Sequence, residues 1–209
     1  MARVTEISAP FRGSRRRVVW IDGAQWRVTS SDVLRAAEVR EGGEARREVL
    51  ASVIDREEPL QARARALRLL AYRERSTSEL RERLLEDGYP ESVGVAAVRA
   101  LERVGLVDDL RFAAVSARTL VEVRGMGRSR AMRELIARGI AEQAASAALD
   151  ATLTLDQERE RAVALAVTLA ARPSATFEKV ARGLARRGYA SALALDAARR
   201  AFPRDGSHA

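Results

Sequence analysis

The chain contains no cysteine, one histidine (His208, near the C-terminus) and one lysine (Lys179) among its 209 residues. Disulfides, thiol nucleophiles and thiolate metal sites are therefore excluded, as are a histidine-centred triad and an imidazole metal cluster. Val180 follows the single lysine, so the Gly-Lys-Ser/Thr of a phosphate loop is missing. Gly125-Met126-Gly127 lacks the third glycine of a dinucleotide fingerprint. No run of 18 apolar residues exists, and the N-terminus has no apolar stretch behind a basic start. These absences predict a cytoplasmic protein that is not an enzyme, holds no cofactor or metal, and has no membrane partner.

Arginine is abundant: it supplies 36 of the 37 basic residues, against 29 acidic ones, for a formal charge of +8. Net charge is +1 over residues 1–58, +1 over 59–108, +2 over 109–153 and +4 over 154–209. An excess that grows toward the C-terminus reads either as solvated helix faces or as a basic surface facing an acidic partner or nucleic acid.

A repeat of about fifty residues organises the rest. Gly88-Tyr89, Gly139-Ile140 and Gly188-Tyr189 align, with Leu84, Leu135 and Leu184 four residues earlier and Leu80, Ala131 and Val180 eight earlier. Val93, Ala144 and Leu193, then Ala97, Ala148 and Ala197, match beyond the glycine. Offsets of four on both sides of a glycine describe two helices separated by a left-handed cap, which predicts positive φ at all three glycines. An earlier helix in each unit carries Leu67, Leu70 and Ala71, then Phe112, Ser116 and Leu120, then Ala162, Leu165, Ala166 and Leu169. Ser76 to Glu79 has the form of a capping box, and Pro173-Ser174 separates two helices of the last unit.

The N-terminal stretch differs. Arg16 to Ile21 and Ala24 to Thr29 flank Asp22-Gly23, a hairpin signal in which Ile21 pairs with Ala24 and Val19 with Trp26. Val19, Ile21, Ala24, Trp26 and Val28 then share the buried face, and Trp20 points the other way, available to a partner. Ser30 or Ser31 caps a short helix through Val33, Leu34 and Ala37, and Glu44 to Asp55 reads as another. The expected fold is mainly α, with three tandem three-helix repeats forming a solenoid behind a small hairpin. Its divisions are an N-terminal extension (1–58), repeats over 59–108, 109–154 and 155–203, and a disordered tail over 204–209.

Leu70-Ala-Tyr-Arg-Glu-Arg-Ser76-Thr-Ser-Glu79-Leu80 with Gly88-Tyr89 resembles the first-repeat signature of the RecX family of bacterial recombination regulators. Gly105-Leu-Val-Asp108-Asp109-Leu-Arg111-Phe112-Ala113 resembles that family's most recognisable block, and Gly125 to Ile140 resembles the next. The likeness spans roughly residues 62 to 203. The chain departs from it at Ala131, where a larger aliphatic is usual, and in a looser third repeat. The resemblance implies a DNA-repair and SOS-response regulator that binds the RecA filament on single-stranded DNA. It implies inhibition of strand exchange, ATP hydrolysis and coprotease activity, by capping filament ends or lying in the filament groove. The expected protein is a monomer whose partner is the filament surface, single- or double-stranded DNA, or both.

The candidate contact surface is the arginine-rich last unit: Arg172, Lys179, Arg182, Arg186, Arg187, Arg199 and Arg200. A second cluster, Arg124, Arg128, Arg130 and Arg133, brackets the Gly125/Gly127 loop. Asp108-Asp109 reads as a helix start rather than a metal or acid-base pair. Tyr72, Tyr89 and Tyr189, at matching helix ends, read as packing between modules rather than stacking platforms for bases. The alternative function is a direct DNA-binding regulator of helix-turn-helix type, although the helices after each glycine are rich in Ala and Val rather than in base-reading side chains.

Overall fold

In a computed structural model, which describes residues 2–44 and 46–202, the chain divides into two units between Asp108 and Asp109. The expected tail at 204–209 lies outside the described residues.

The first unit opens with an antiparallel sheet of three strands in sequence order: β1 (Val4–Ser8), β2 (Arg16–Ile21) and β3 (Ala24–Ser30). The turn predicted at Asp22-Gly23 is present, with φ of 53° and 78° at the two residues, and Ile21 pairs with Ala24. A bulge beyond that pair puts Val19 opposite Arg27 rather than Trp26. The extra residue breaks the alternation along β3, where Ala24 is exposed and Thr29 and Ser30 at the far end are buried. Strand β1 escaped the sequence reading because a second bulge, between Val4 and Glu6, breaks its alternation. It covers Trp20, whose indole N–H donates to Ser8 Oγ at 3.1 Å, so this ring is half-buried rather than presented to a partner.

Ser30 caps α1 (Ser31–Ala36), its hydroxyl accepting from the Asp32 N–H. The helix expected over Glu44 to Asp55 is the front half of α2 (Arg47–Tyr72), which runs unbroken across Pro59. The division between residues 58 and 59 thus falls inside one helix. Helices α3 (Thr77–Glu86) and α4 (Glu91–Arg103) follow. The core face of α2 is Ile54, Ala62, Ala66 and Leu69 rather than Leu67 and Ala71, both of which are exposed. Tyr72, at the helix end, is 86% exposed and packs against no module.

The second unit contains six helices among the described residues. Helix α5 (Asp109–Arg118) continues as a π-turn over Thr119–Val123, followed by α6 (Arg128–Ala137) and α7 (Glu142–Thr152). Next come α8 (Leu155–Ala170), α9 (Phe177–Arg186) and α10 (Ser191–Ala201). In each three-helix group the third helix packs on the first and second: α4 on α2 and α3, α7 on α5 and α6, α10 on α8 and α9. The fold is therefore mainly α, with a small N-terminal sheet.

The three glycine caps are equivalent in detail. Gly88, Gly139 and Gly188 have φ of 97°, 77° and 90°. The glycine N–H donates to Leu85, Ile136 and Ala185, and the next residue's N–H to Leu84, Leu135 and Leu184. These paired bonds are the Schellman arrangement, which satisfies the last carbonyls of a helix. Its apolar member, Tyr89, Ile140 or Tyr189, is buried each time. Ser76 Oγ accepts from the Glu79 N–H at 3.1 Å, while the Glu79 carboxylate takes Arg73. A reciprocal capping box occurs at Thr154 and Gln157.

Candidate cationic interface

The cap glycines also set how modules meet within each unit. A Cβ on Gly88 would lie 2.4 Å from the Thr29 carbonyl oxygen, and one on Gly188 would lie 2.2 Å from Arg130 Cβ. Thirty residues before each glycine stands a buried glutamate facing the same neighbour. Glu58 accepts from the Thr29 hydroxyl at 2.9 Å and from Arg27 at 3.1 Å, and Glu158 accepts from the Arg128 N–H at 2.8 Å. Asp109 occupies the corresponding position before Gly139 and sits in the first turn of α5, directly after Asp108. The matching offset was visible in the sequence as an acidic residue at a fixed distance from the glycine, but an acid on a helix is too common to stand out alone.

Docking of the third repeat on the second brings the two arginine clusters together. The Gly127 N–H donates to the Arg187 carbonyl at 2.9 Å, and the Ser129 N–H to the Gly188 carbonyl at 3.1 Å. Arg130 consequently reaches α9, its Nη1 donating to the Arg186 carbonyl at 3.3 Å. Between the start of α6 and the α8–α9 turn lies a cleft of about 460 Å³ lined by Arg130, Arg172, Lys179, Arg186 and Arg187; among the described residues no carboxylate lines it. Lys179 and Gly183 on α9 and Arg187 at its C-cap follow one another at helical spacing, and a Cβ on Gly183 would lie 3.2 Å from Leu169 Cδ1. Lys179 Nζ is tethered to the Ser174 carbonyl at 2.8 Å, closing the turn at Pro173-Ser174.

The other six candidates are placed differently. Arg182 is exposed on α9 but outside the cleft, beside Glu178. The Glu178 carboxyl is held below its usual range by hydrogen bonds from its own backbone and from Thr176, with Arg182 adding attraction. Arg199 and Arg200 project from α10, where Arg200 pairs with Asp196 at 3.1 Å. Arg124 and Arg133 are exposed away from the cleft. Arg128 is a structural joint, half-buried and bonded to Asp150 and the Leu153 carbonyl while its backbone holds Glu158. Among the described residues no group of acidic or histidine side chains is arranged to hold a metal, and no helix is long and apolar enough to cross a membrane.

The architecture has known counterparts. The family model described as RecX, first three-helix domain, matches residues 62–101, and that described as RecX, second three-helix domain, matches 108–149. Regulatory protein RecX of Mycobacterium ulcerans is 39% identical over 142 residues, covering 65% of this chain and 82% of that protein. Regulatory protein RecX of Levilactobacillus brevis is 31% identical over 199 residues, covering 93% of this chain and 74% of that protein. A crystal structure of regulatory protein RecX superposes with a TM-score of 0.61 and 26% identity, covering 92% of this chain and 97% of that one. RecX from Lactobacillus salivarius superposes with a TM-score of 0.63 over 70% of this chain and 97% of its own, at 22% identity a likeness of fold. With its glycine-capped repeats, its helical groups and these relatives in agreement, the chain belongs to the RecX family of regulatory proteins.

Proposed function

We propose that this protein binds the RecA filament on single-stranded DNA and restrains its recombinase, ATPase and coprotease activities, acting as a binding regulator and not as an enzyme. The contact surface in this reading is the cleft shared by α6, α8 and α9. One observation carries the assignment: five cationic side chains line a single cleft with no carboxylate among its described residues. Such a surface attracts acidic side chains or phosphates, and arginine forks match both in bidentate geometry. The Ala- and Val-rich helices that follow each glycine bury much of their surface in the repeats, which leaves this cleft as the better recognition element.

The deciding experiment measures ATP hydrolysis by RecA on single-stranded DNA, with this protein added at ratios far below one per recombinase subunit. Inhibition at such ratios, lost on reversing Arg172 and Arg186 to glutamate, is the expected result. Undiminished inhibition by that double variant on the same filaments would move the contact elsewhere.

A further inference from the structure

The N-terminal unit contains a second cationic site, built from three separate segments. Asp32, in the first turn of α1, is only 5% exposed, and three guanidinium groups converge on its carboxylate. Arg15 Nη1 lies 2.9 and 3.0 Å from the two oxygens, Arg35 Nη2 lies 2.6 Å from Oδ1, and Arg68 Nη2 lies 2.8 Å from Oδ2. Arg15 comes from the β1–β2 connection, Arg35 from α1 and Arg68 from α2. Gln61, two turns before Arg68 on the same face of α2, joins them in lining a cleft of about 450 Å³.

One carboxylate balances one guanidinium, so the cluster retains a charge of +2. A carboxylate is fully served by a single bidentate arginine, and gathering three on it sets like charges against one another. Each guanidinium also commits only one terminal nitrogen to Asp32, so most of its donors remain without a partner among the described residues. The arginine side chains are 38%, 75% and 51% exposed, within reach of a ligand. Held by a buried anchor, they present their donors with much of the ordering entropy already lost.

We infer that this cluster is a binding site for a terminal phosphate group, a phosphomonoester dianion received jointly by Arg15, Arg35 and Arg68. The charge selects the ligand: a dianion balances +2, whereas a phosphodiester or a carboxylate balances only half of it. The guanidinium forks suit the tetrahedral oxygens of a phosphate, each able to offer two parallel donors. This site belongs to a different unit from the cleft of α6, α8 and α9, and it stands or falls without the filament reading.

The test is an NMR titration of the full chain, followed on the arginine Nε–Hε resonances. The ligands are methyl phosphate, at about pH 8 where the monoester is fully dianionic, and dimethyl phosphate, a diester monoanion. Methyl phosphate should shift the signals of Arg15, Arg35 and Arg68 saturably and bind roughly tenfold more tightly than the diester. Arg35→Gln and Arg68→Gln, both at exposed side chains, should each weaken methyl phosphate about tenfold with an unchanged circular dichroism spectrum. Arg182→Gln, at an exposed cation of the other unit, should leave the affinity as it was. Absence of saturable binding, equal affinity for the two esters, or full binding by the Arg35→Gln/Arg68→Gln double variant would each overturn the assignment and reduce the cluster to an ion-pair network that holds α1 on α2.

Discussion

Gly127 and Gly188 meet backbone to backbone: a Cβ on Gly127 would lie 2.6 Å from both the carbonyl carbon and the carbonyl oxygen of Gly188. No side chain fits at that crossing, and both glycines are required for the third repeat to sit on the start of α6.

Substitution at the joint should therefore cost more than backbone strain alone. Gly125 has φ of 61° but open space around it, so Gly125→Ala should cost about 1 kcal/mol. Gly188→Ala adds a collision with the Arg130 main chain and should cost at least about twice as much. Urea midpoints of the two variants make the comparison. Equal values would mean that the joint relaxes freely and is not a fixed contact. The same reasoning ranks Gly88→Ala, against the Thr29 carbonyl, with Gly188→Ala.

Glu158 holds the first backbone N–H of α6 from inside the protein. Glu158→Ala leaves that half-buried donor unmatched and should destabilise by about 1 kcal/mol. Glu158→Gln keeps an acceptor at the same place and should lose less. Thermal melts of the two variants should rank them in that order, and equal losses would show that the negative charge rather than the hydrogen bond matters.

Within the proposed interface, Arg186 and Arg182 give opposite expectations although both are exposed arginines of one helix. Arg186→Glu should weaken filament inhibition several-fold and flatten its salt dependence, because a cleft cation is removed. Arg182→Glu should change it little. Neither should move the melting temperature much, since exposed charges contribute little to stability. Matched inhibition curves at two salt concentrations test this, and equal loss from both substitutions would point to diffuse attraction by the whole helix.

Alkaline pH should loosen both units through their buried tyrosines. Burial pushes the Tyr89 and Tyr189 hydroxyls above their ordinary range. In the unfolded chain these phenols ionise near pH 10, while in the folded protein they stay protonated to higher pH. The folded state therefore binds more protons in that interval, and stability falls as pH rises from the unfolded value through the folded one. Replacing each tyrosine with phenylalanine should reduce that loss. Urea midpoints at neutral and strongly alkaline pH give the measurement, and an unchanged alkaline loss in the double variant would assign it to other groups.

Periodic features of the chain were legible in the sequence. The three caps, the Asp22-Gly23 turn and the apolar positions around Leu84, Leu135 and Leu184 follow from short-range rules that act wherever those residues occur. Features that depend on a partner distant in sequence were not. The bulge opposite Val19 and the covering of Trp20 by β1 are decided by the sheet as a whole. The length of α2 was hidden by Pro59, which normally marks a helix boundary. At the cationic cleft the residue types were visible, but their grouping was not. Arg130 joins Arg186 across more than fifty residues because two glycines permit it, and Arg128, with an equally promising charge, turns inward to Glu158, Asp150 and Leu153.

At this joint the glycine meets mainly main-chain atoms, while the carboxylate takes side-chain donors from Thr29 and Arg27 in the first unit and a main-chain N–H in the second. In the first unit the joint grips the last residues of a β-strand, in the second the first turn of a helix, and the same two residue positions serve both. A glycine contact that reads backbone tolerates drift in most of the side chains it meets, so one module could be copied, or its exterior rewritten, with little redesign of its neighbour. Chain growth by duplication needs a connector of that kind, and here the modules keep a common seam while their outer faces diverge in charge.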